Sequence, residues 1–427
     1  MENTGPKNRF FDSVRETEDW EKRKADLNLT FLTIFRHACM HSKAYREIIR
    51  SAGVEPSQIQ SLDDLNRLPI LRIDDLVARQ KKHAPFGEFE AMGFESIGRI
   101  YINPGLIFQP GAREYRDTSW AEALCGAGFE AQDRILNTFN YHLWPLAFML
   151  DESAKMLGAI VIPTGVGNTM MQVKIMQMLK INGFMGTPSF IMTLAQRAEA
   201  MGLDVRKDLF LKKALVGAEM LPESLRSRIE NKLDMTLRQG YGTVFSGCIG
   251  YECQHKTGLH VPDNMLVEVT DPRTGKQVEE GSTGEVVATN FNFLYPMIRM
   301  ATGDLSMWSQ KSCPCGRTGP MLKKILGRID EAAKVKGTFV HPWQTDDIVS
   351  LYPEVYKYQV VITRQGHNDI MTFLLELNED VSRPEILRGR IERDIKNILT
   401  IKGRVQFVPR GTIPDFHKKI EDKRRWE

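Results

Sequence analysis

The sequence predicts an α/β protein in which a large N-terminal domain with mixed and parallel sheets precedes a small α+β domain. From about Arg134, short apolar runs such as "RILNTF", "AIVIP" and "GFMGTP" alternate with the helical pattern "NTMMQVKIMQMLKING". This alternation indicates a mostly parallel sheet with helices on its faces. From Arg328 an alternating region, an amphipathic helix and a strand follow, within about one hundred residues, which is an allowed domain size. We therefore place the two domains at residues 1–327 and 328–427.

The remaining elements follow from local patterns. Near the N-terminus, "KADLNLTFLTIFRHACMHSKAYREIIRSAG" has apolar residues at helical spacing and ends at a glycine, and Ser61 can cap the next helical segment. Farther on, "LKKALVGAEM" and "MTLRQGYG" each run from a strand into a loop. The loops "VGAEM" and "QGYGTVFSG" then lie at the carboxyl ends of strands, where parallel sheets bind ligands. After Val261 the sequence is β-rich.

Composition and charge exclude several classes of protein. The formal net charge of the 427 residues is +3, which is too small to indicate a nucleic-acid partner. The polar start "MENTGPKNRFFDSVRETEDW" has no apolar signal region, and no later run reaches the apolar length of a membrane span. We expect a cytoplasmic protein with no nucleic-acid or membrane partner, and a homodimer is compatible with the sequence.

Four residues form a pattern typical of a metal site. Cys253, His260, Cys313 and Cys315 give the spacing C-x6-H followed by "CPC". Thiolates combined with an imidazole suit tetrahedral zinc, and a site with four protein ligands is closed and therefore structural. The alternative is a group of buried thiols with a surface histidine.

Ordered motifs along nearly the whole chain resemble one family. "LVGAEMLPESLRSRIE", "QGYGTVFSGCIGYEC", "YPMIRMATGDLSMW" and "CPCGRTGPMLKKILGRIDE" are similar to segments of the phenylacetate–CoA ligase branch of the adenylate-forming superfamily. The resemblance implies an adenylate-forming core domain and a small C-terminal lid that rotates between two half-reactions. It also implies the chemistry: ATP activates a carboxylic acid as an acyl-adenylate, and the acyl group is then transferred to CoA.

The resemblance assigns nucleotide and CoA contacts to particular residues. Asp304, in "ATGDL", matches the aspartate that binds the ribose hydroxyls, and a carboxylate suits a diol because it accepts two hydrogen bonds. Arg328 matches the arginine near the ribose and the hinge, and Asp330 falls at the hinge itself. Gly337 matches the glycine that lets the pantetheine arm pass close to the backbone.

Further residues are expected around the adenine, the acyl group and the carboxylate. The final lysine of the family, which contacts the carboxylate during adenylation, corresponds to Lys418 or Lys419, although a solvated basic tail would explain both residues. The other expected substrate-binding residues are Tyr141, Gly217, Ala218, Glu219, Tyr241, Gly242 and Thr243.

Two ATP-handling parts of the family pattern are missing. The family's phosphate loop resembles Ser-Ser-Gly-Thr-Thr-Gly-Lys-Pro, whereas this chain reads "INPGLIFQPG", with Leu106, Ile107 and Phe108 in place of hydroxyl-bearing residues. In "YGTVF", Phe245 replaces the glutamate that holds magnesium, and phenylalanine cannot ligate a hard cation. These losses argue against the use of ATP and magnesium.

The retained and missing parts together predict an acyltransferase. It would move an aryl, anthraniloyl-like group from a coenzyme A thioester to the pantetheine thiol of an acyl carrier protein without ATP. Because two pantetheine arms cannot share one tunnel, a nucleophile would hold the acyl group. The candidates are Cys248, Ser246 and Thr243, with His142 as a general base. Two alternatives stay open: an ATP-dependent aryl-CoA ligase, and a non-catalytic homologue that binds an acyl-CoA.

Overall fold

The chain divides into two compact units, which are described separately. The structure is a computed structural model, and it describes residues 10–114, 117–329, 333–335, 338–340, 342–365, 368–378, 384–414 and 418–424. The first unit comprises residues 1–302 and 307–324, and the second comprises residues 303–306 and 325–427. Within the described residues, no helix combines the length and the apolar character that crossing a membrane requires.

The first unit begins with helices, and helices and strands alternate after them. Side-chain caps set the helix starts: Asp19 accepts hydrogen bonds from the backbone N–H groups of Glu21 and Lys22, and Ser42 accepts one from Tyr45. Ser61 caps a short 3₁₀ helix, Leu62–Arg67, as predicted. The α-helices are α1 (Ser13–Thr17), α2 (Trp20–His41), α3 (Lys43–Ser51), α4 (Ile73–Lys82), α5 (Ser119–Gly126), α6 (Pro145–Met156), α7 (Thr169–Met178), α8 (Pro188–Ala200) and α9 (Glu223–Leu233).

A mainly parallel sheet organises this unit. The strands are β1 (Ile97–Asn103), β2 (Ile107–Ala112), β3 (Arg134–Asn137), β4 (Ile160–Pro163), β5 (Gly183–Gly186), β6 (Lys213–Val216), β7 (Thr236–Thr243), β8 (Gly247–Tyr251), β9 (Leu259–His260), β10 (Met265–Thr270), β11 (Gly284–Asn290), β12 (Met300–Ser306) and β13 (Met321–Leu322); residues 303–306 of β12 are assigned to the second unit. Strands β4, β3, β5, β6 and β7 lie side by side in that order and run parallel, and β8, β9 and β13 extend the sheet antiparallel. The predicted sheet is confirmed.

Successive residues of the parallel strands enter cores on opposite faces of the sheet. Leu136 and Phe184 pack in a cluster with side chains of α7, α8 and α9, whereas their neighbours Ile135 and Met185 pack in a cluster with side chains of α5 and α6. A strand that is buried on both faces requires an unbroken apolar run. This requirement explains the short apolar runs in the sequence, and it leaves only the strand ends available for polar chemistry.

The second unit has its own hydrophobic core. Its elements are β14 (Gly327–Arg328), β15 (Ala333–Val335), β16 (Thr338–Val340), α10 (Pro342–Ser350), β17 (Val355–Gln365), β18 (Asn368–Leu377), α11 (Pro384–Leu399), β19 (Arg404–Val408) and β20 (Ile420–Asp422). The main sheet has the order β19-β18-β17-β20, and β17 and β18 form a long antiparallel hairpin. Leu387, Ile391 and Ile395 recur every four residues along α11 and are buried in this core. The predicted α+β fold of this part of the chain is confirmed.

A buried ion pair connects distant segments of the first unit. The side chains of Arg299 and Glu268 are each 1% exposed. The Arg299 Nε and Nη2 atoms donate to the two carboxylate oxygens of Glu268 at 3.0 and 2.9 Å. The same guanidinium also donates to the backbone carbonyls of Leu68 and Gly275. Because both charges are removed from water, each depends on the other.

We predict that Glu268→Gln lowers the free energy of unfolding of the first unit by about 3–5 kcal/mol, because it leaves the Arg299 charge buried and uncompensated. Urea unfolding followed by tryptophan fluorescence measures this loss. The matched control is Glu199→Gln, which breaks the exposed Lys232–Glu199 pair of the same unit and should cost less than about 1 kcal/mol. Equal stability of the two variants would contradict the prediction.

Candidate functional site

The loop after β6 reaches the carboxyl edge of the parallel sheet, as predicted for Gly217, Ala218 and Glu219. A Cβ atom built on Gly217 would lie 2.9 Å from the carbonyl oxygen of Gly240, so this loop passes close to the backbone of β7. Ala218 adopts a left-handed backbone conformation, with φ of 64°. The Glu219 carboxylate accepts hydrogen bonds from the backbone N–H and the hydroxyl of Ser189 at 3.1 and 2.7 Å. Glu219 therefore anchors the first turn of α8 beside the site.

The loop between β7 and β8 requires a glycine at its entrance. A Cβ atom built on Gly242 would lie 2.2 Å from the carbonyl oxygen of Gly247, so a side chain at this position would collide with backbone. Within the loop, Ser246 N–H donates to the hydroxyl oxygen of Thr243 at 3.1 Å. Tyr241 and Thr243 are half-buried at the end of β7. The predicted residues of this loop therefore lie together.

The two segments that depart from the family pattern contact each other. Gln109 of β2 donates a hydrogen bond through Nε2 to the carbonyl oxygen of Val244 at 2.6 Å, and Asn103 of β1 donates to Gln109 Oε1 at 3.2 Å. The hairpin β1–β2 is also held by Gln80, whose amide exchanges two hydrogen bonds with the backbone of Phe108 at 2.7 and 2.9 Å. The apolar side chains of both segments join one hydrophobic cluster: Ile107, Phe108, Val244 and Phe245.

A cavity of about 80 Å³ lies beside these two segments. Its lining includes Asp117, Glu152, Ser246 and Asn290. Ser246 is 4% exposed, and its hydroxyl has no hydrogen-bond partner among the described residues. Asp117 Oδ1 accepts hydrogen bonds from Ser119 N–H at 2.9 Å and from the Asn264 side chain at 3.1 Å, and burial raises the pKa of this carboxyl. Sequence analysis missed Asp117, because no motif or spacing distinguishes it from a surface aspartate.

The candidate nucleophile Cys248 lies on β8 and is fully buried. Its thiol donates to the Gly250 carbonyl at 3.6 Å, and burial raises its pKa well above the usual range. A shielded, protonated thiol is a poor nucleophile.

The candidate general base His142 is exposed, and its backbone N–H donates to the Asn140 side chain. Tyr141 is half-buried nearby and accepts a hydrogen bond from Asn137 through its hydroxyl oxygen.

In the second unit, Asp304 and Arg328 face each other across paired strands β12 and β14. Arg328 Nη1 lies 3.3 Å from Asp304 Oδ1, and the Asp304 side chain is 16% exposed.

Of the two candidate lysines of the second unit, Lys418 is exposed, whereas Lys419 forms an ion pair with Asp346 at 2.6 Å. The predicted hinge residue Asp330 and tunnel residue Gly337 lie outside the described residues.

The four predicted metal ligands come together in the first unit. The ligand atoms of Cys253, His260, Cys313 and Cys315 all lie within 4.8 Å of one another. The Cys253 and Cys313 sulfurs are 3.5 Å apart, and the Cys315 sulfur is 3.5 Å from His260 Nε2. The hydrogen bond from Cys253 lowers the pKa of the Cys315 thiol, and the pKa of the Cys253 thiol is correspondingly raised.

The cluster is connected to the N-terminal segment through Arg317. Arg317 donates to the Cys315 sulfur through Nη1 at 3.7 Å and to the Glu16 carboxylate through Nε at 2.7 Å. The other oxygen of Glu16 accepts from the backbone N–H groups of Phe11 and Asp12. The Cys/His cluster therefore supports the docking of the chain start against the first unit.

Comparison with known proteins identifies the class of protein. Residues 117–292 match the AMP-binding enzyme family, and residues 337–424 match the AMP-binding enzyme C-terminal domain. The chain is 30% identical to phenylacetate-coenzyme A ligase of Thermus thermophilus, over 87% of this chain and 88% of that protein. It is 27% identical to phenylacetate-coenzyme A ligase of Escherichia coli, over 89% of each chain. The chain belongs to the phenylacetate-coenzyme A ligase family of AMP-binding enzymes.

Solved structures agree with this assignment. A crystal structure of 2-hydroxyisobutyryl-CoA ligase in the postadenylation state, in complex with 2-HIB-AMP, has a TM-score of 0.85 and 25% identity, and the match covers 99% of this chain and 94% of that chain. Apo MatB from Rhodopseudomonas palustris has a TM-score of 0.57 at 16% identity, over 77% of this chain and 68% of that chain, which shows the fold alone.

The comparisons correct the predicted reaction. ATP-independent transfer from an acyl-CoA to a carrier protein is wrong: the relatives are named CoA ligases, and the solved neighbour carries an acyl-adenylate. The prediction gave too much weight to side chains lost from two short segments. The hairpin, the loops at the sheet edge and the Asp304–Arg328 pair are all present in the structure, and the likeness extends over the whole chain.

Proposed function

We propose that the protein is an ATP-dependent acid–CoA ligase. It would activate a carboxylic acid as the acyl-adenylate and then form the CoA thioester. The observation that carries the proposal is the 30% identity to a phenylacetate-coenzyme A ligase over 87% of the chain. The names of the relatives support an aryl-substituted acid as the substrate.

Asp304 and Arg328 would hold the ribose of the nucleotide. A carboxylate can accept two hydrogen bonds from a vicinal diol, and such charge-assisted bonds are stronger than neutral ones. Arg328, 3.3 Å from Asp304 Oδ1, would orient this carboxylate. The Asp304 side chain retains 16% exposure, and Arg328 is about half exposed.

The phosphate chain would be bound differently from the family pattern. Side chains at Leu106, Ile107 and Phe108 offer no hydrogen bonds, and Pro104 and Pro110 lack backbone N–H groups. The remaining N–H groups of the hairpin are the donors that this segment can offer to phosphate oxygens. Gly105 and Leu106 have positive φ values of 84° and 60°, so the turn between the strands is tight.

Adenylation is tested by acid-dependent exchange of labelled pyrophosphate into ATP. We predict exchange with phenylacetate or another aryl acid, and formation of the aryl-CoA when CoA is added.

Asp304→Asn should raise the KM for ATP about tenfold or more, because it removes a charged acceptor from the ribose site. Glu385→Gln, whose side chain is 74% exposed, is the control in the same unit and should leave the KM unchanged. Absence of exchange across a panel of acids, with folded protein, would refute the proposal.

We also propose that Cys253, His260, Cys313 and Cys315 bind a structural zinc ion. With Zn–S bonds of about 2.3 Å, two thiolates on a tetrahedral zinc lie about 3.8 Å apart. The Cys253–Cys313 distance of 3.5 Å and the spread of at most 4.8 Å support this proposal. Four protein ligands leave no open position, so the ion would stabilise the fold and would take no part in the reaction.

We predict about one zinc per chain in purified protein, measured by plasma mass spectrometry. Cys313→Ser should lose the zinc, lower the Tm, and increase hydrogen exchange around Glu16, because the support through Arg317 weakens. The control, Cys39→Ser, changes a cysteine outside the cluster and should retain the zinc. Metal-free wild-type protein with an unchanged Tm after chelation would refute the site.

A further inference from the structure

The position that the family pattern gives to a magnesium-binding glutamate is occupied here by Phe245. Its side chain is 7% exposed and belongs to a hydrophobic cluster, so it cannot contact a cation. If the chain uses ATP, as proposed above, the cation of the nucleotide must be held by other oxygen atoms. Oxygen-bearing side chains line the cavity next to Phe245.

Asp117 supplies a carboxylate to that cavity from a different element. It precedes α5, and its Oδ2 atom would lie 2.4 Å from a Cβ atom built on Gly247, so the carboxylate reaches the loop that contains Phe245. Its Oδ1 atom is held by Ser119 and Asn264. No ion pair joins Asp117 to any of the described residues of the chain. Removing an unpaired carboxylate from water carries a desolvation penalty, and a bound cation would offset this penalty.

Ser246 gives a second, independent indication of a ligand. Its side chain is 4% exposed and lines the same cavity, yet its hydroxyl has no partner among the described residues. A buried hydroxyl without a hydrogen bond is costly, and most such groups bind water, an ion or a ligand. Glu152, the other carboxylate that lines the cavity, forms an ion pair with Arg99, whose charge already balances it.

We propose that Asp117 and Ser246 bind the divalent cation of magnesium-ATP and replace the missing glutamate. Magnesium prefers hard oxygen ligands, and it usually takes one or two protein carboxylates together with phosphate oxygens and waters. One carboxylate, one hydroxyl and space for water satisfy this requirement. In this arrangement the carboxylate comes from the segment before α5, and the hydroxyl comes from the loop after β7. This inference rests on the proposed ligase function.

Manganese binding to the full-length protein tests the inference without relying on activity. Mn²⁺ is paramagnetic and shares the oxygen preference of magnesium, whereas the Cys/His cluster offers it soft ligands. Free and bound Mn²⁺ are measured by electron paramagnetic resonance, with and without ATP. We expect Asp117→Asn to weaken Mn²⁺ binding at least about tenfold in the presence of ATP. The matched control is Glu114→Gln, which changes an exposed carboxylate three residues away and should bind as the wild type does.

Ser246→Ala is the second variant, and it keeps the test valid if Asp117→Asn fails to fold. Because the hydroxyl has no hydrogen-bond partner in the part of the chain that the structure describes, its removal should leave the Tm unchanged or raise it, while Mn²⁺ affinity falls several-fold. Wild-type Mn²⁺ affinity in both variants would overturn the inference. Pyrophosphate exchange by the wild type distinguishes failure of the metal site from failure of the ligase function. If the wild type catalyses exchange but both variants bind Mn²⁺ as it does, the metal site alone is overturned. If the wild type catalyses no exchange but its Mn²⁺ binding depends on Asp117, the ligase function alone is overturned.

Discussion

The burial of the parallel sheet on both faces is the constraint on which the rest of the first unit depends. Apolar residues of β3, β5 and β6 face helices on either side, so these strands have no exposed face that could hold polar chemistry. Ligand-binding groups must then come from loops at the carboxyl edge. The segment after β6 approaches the backbone of β7 so closely that a glycine is required at Gly217, and the close pairing of β7 with β8 requires another at Gly242.

A second packing constraint links the two departures from the family pattern. The hairpin β1–β2 and the loop after β7 share one hydrophobic cluster and a hydrogen bond from Gln109 to the Val244 carbonyl. An apolar side chain at Phe108 or Phe245 is stable there because the other segment is apolar as well. A charged residue in only one of the two would be buried without a partner, which is costly. The two departures therefore share one apolar environment.

The Cys/His cluster solves a different packing problem. It lies where β9 and β13 are only two residues long, and strands this short contribute little pairing of their own. The cluster brings Cys253 and Cys313, sixty residues apart in sequence, within 3.5 Å. Through Arg317 it also reaches Glu16 and the start of the chain. Local order here depends on side-chain contacts more than on the sheet.

The fold class and its elements could be predicted from the sequence, because the apolar runs of β3 and β5 and the four-residue spacing of Leu387, Ile391 and Ile395 depend only on local periodicity. The Cys/His ligand set and the nucleotide-binding roles of Asp304 and Arg328 could be proposed from motifs, and the structure adds where these side chains lie. Only the tertiary structure decided that Cys248 is shielded, that Glu219 anchors α8, and that Asp117 and Ser246 share a cavity with Phe245. Burial and contacts between segments distant in sequence arise from packing, which no local pattern encodes.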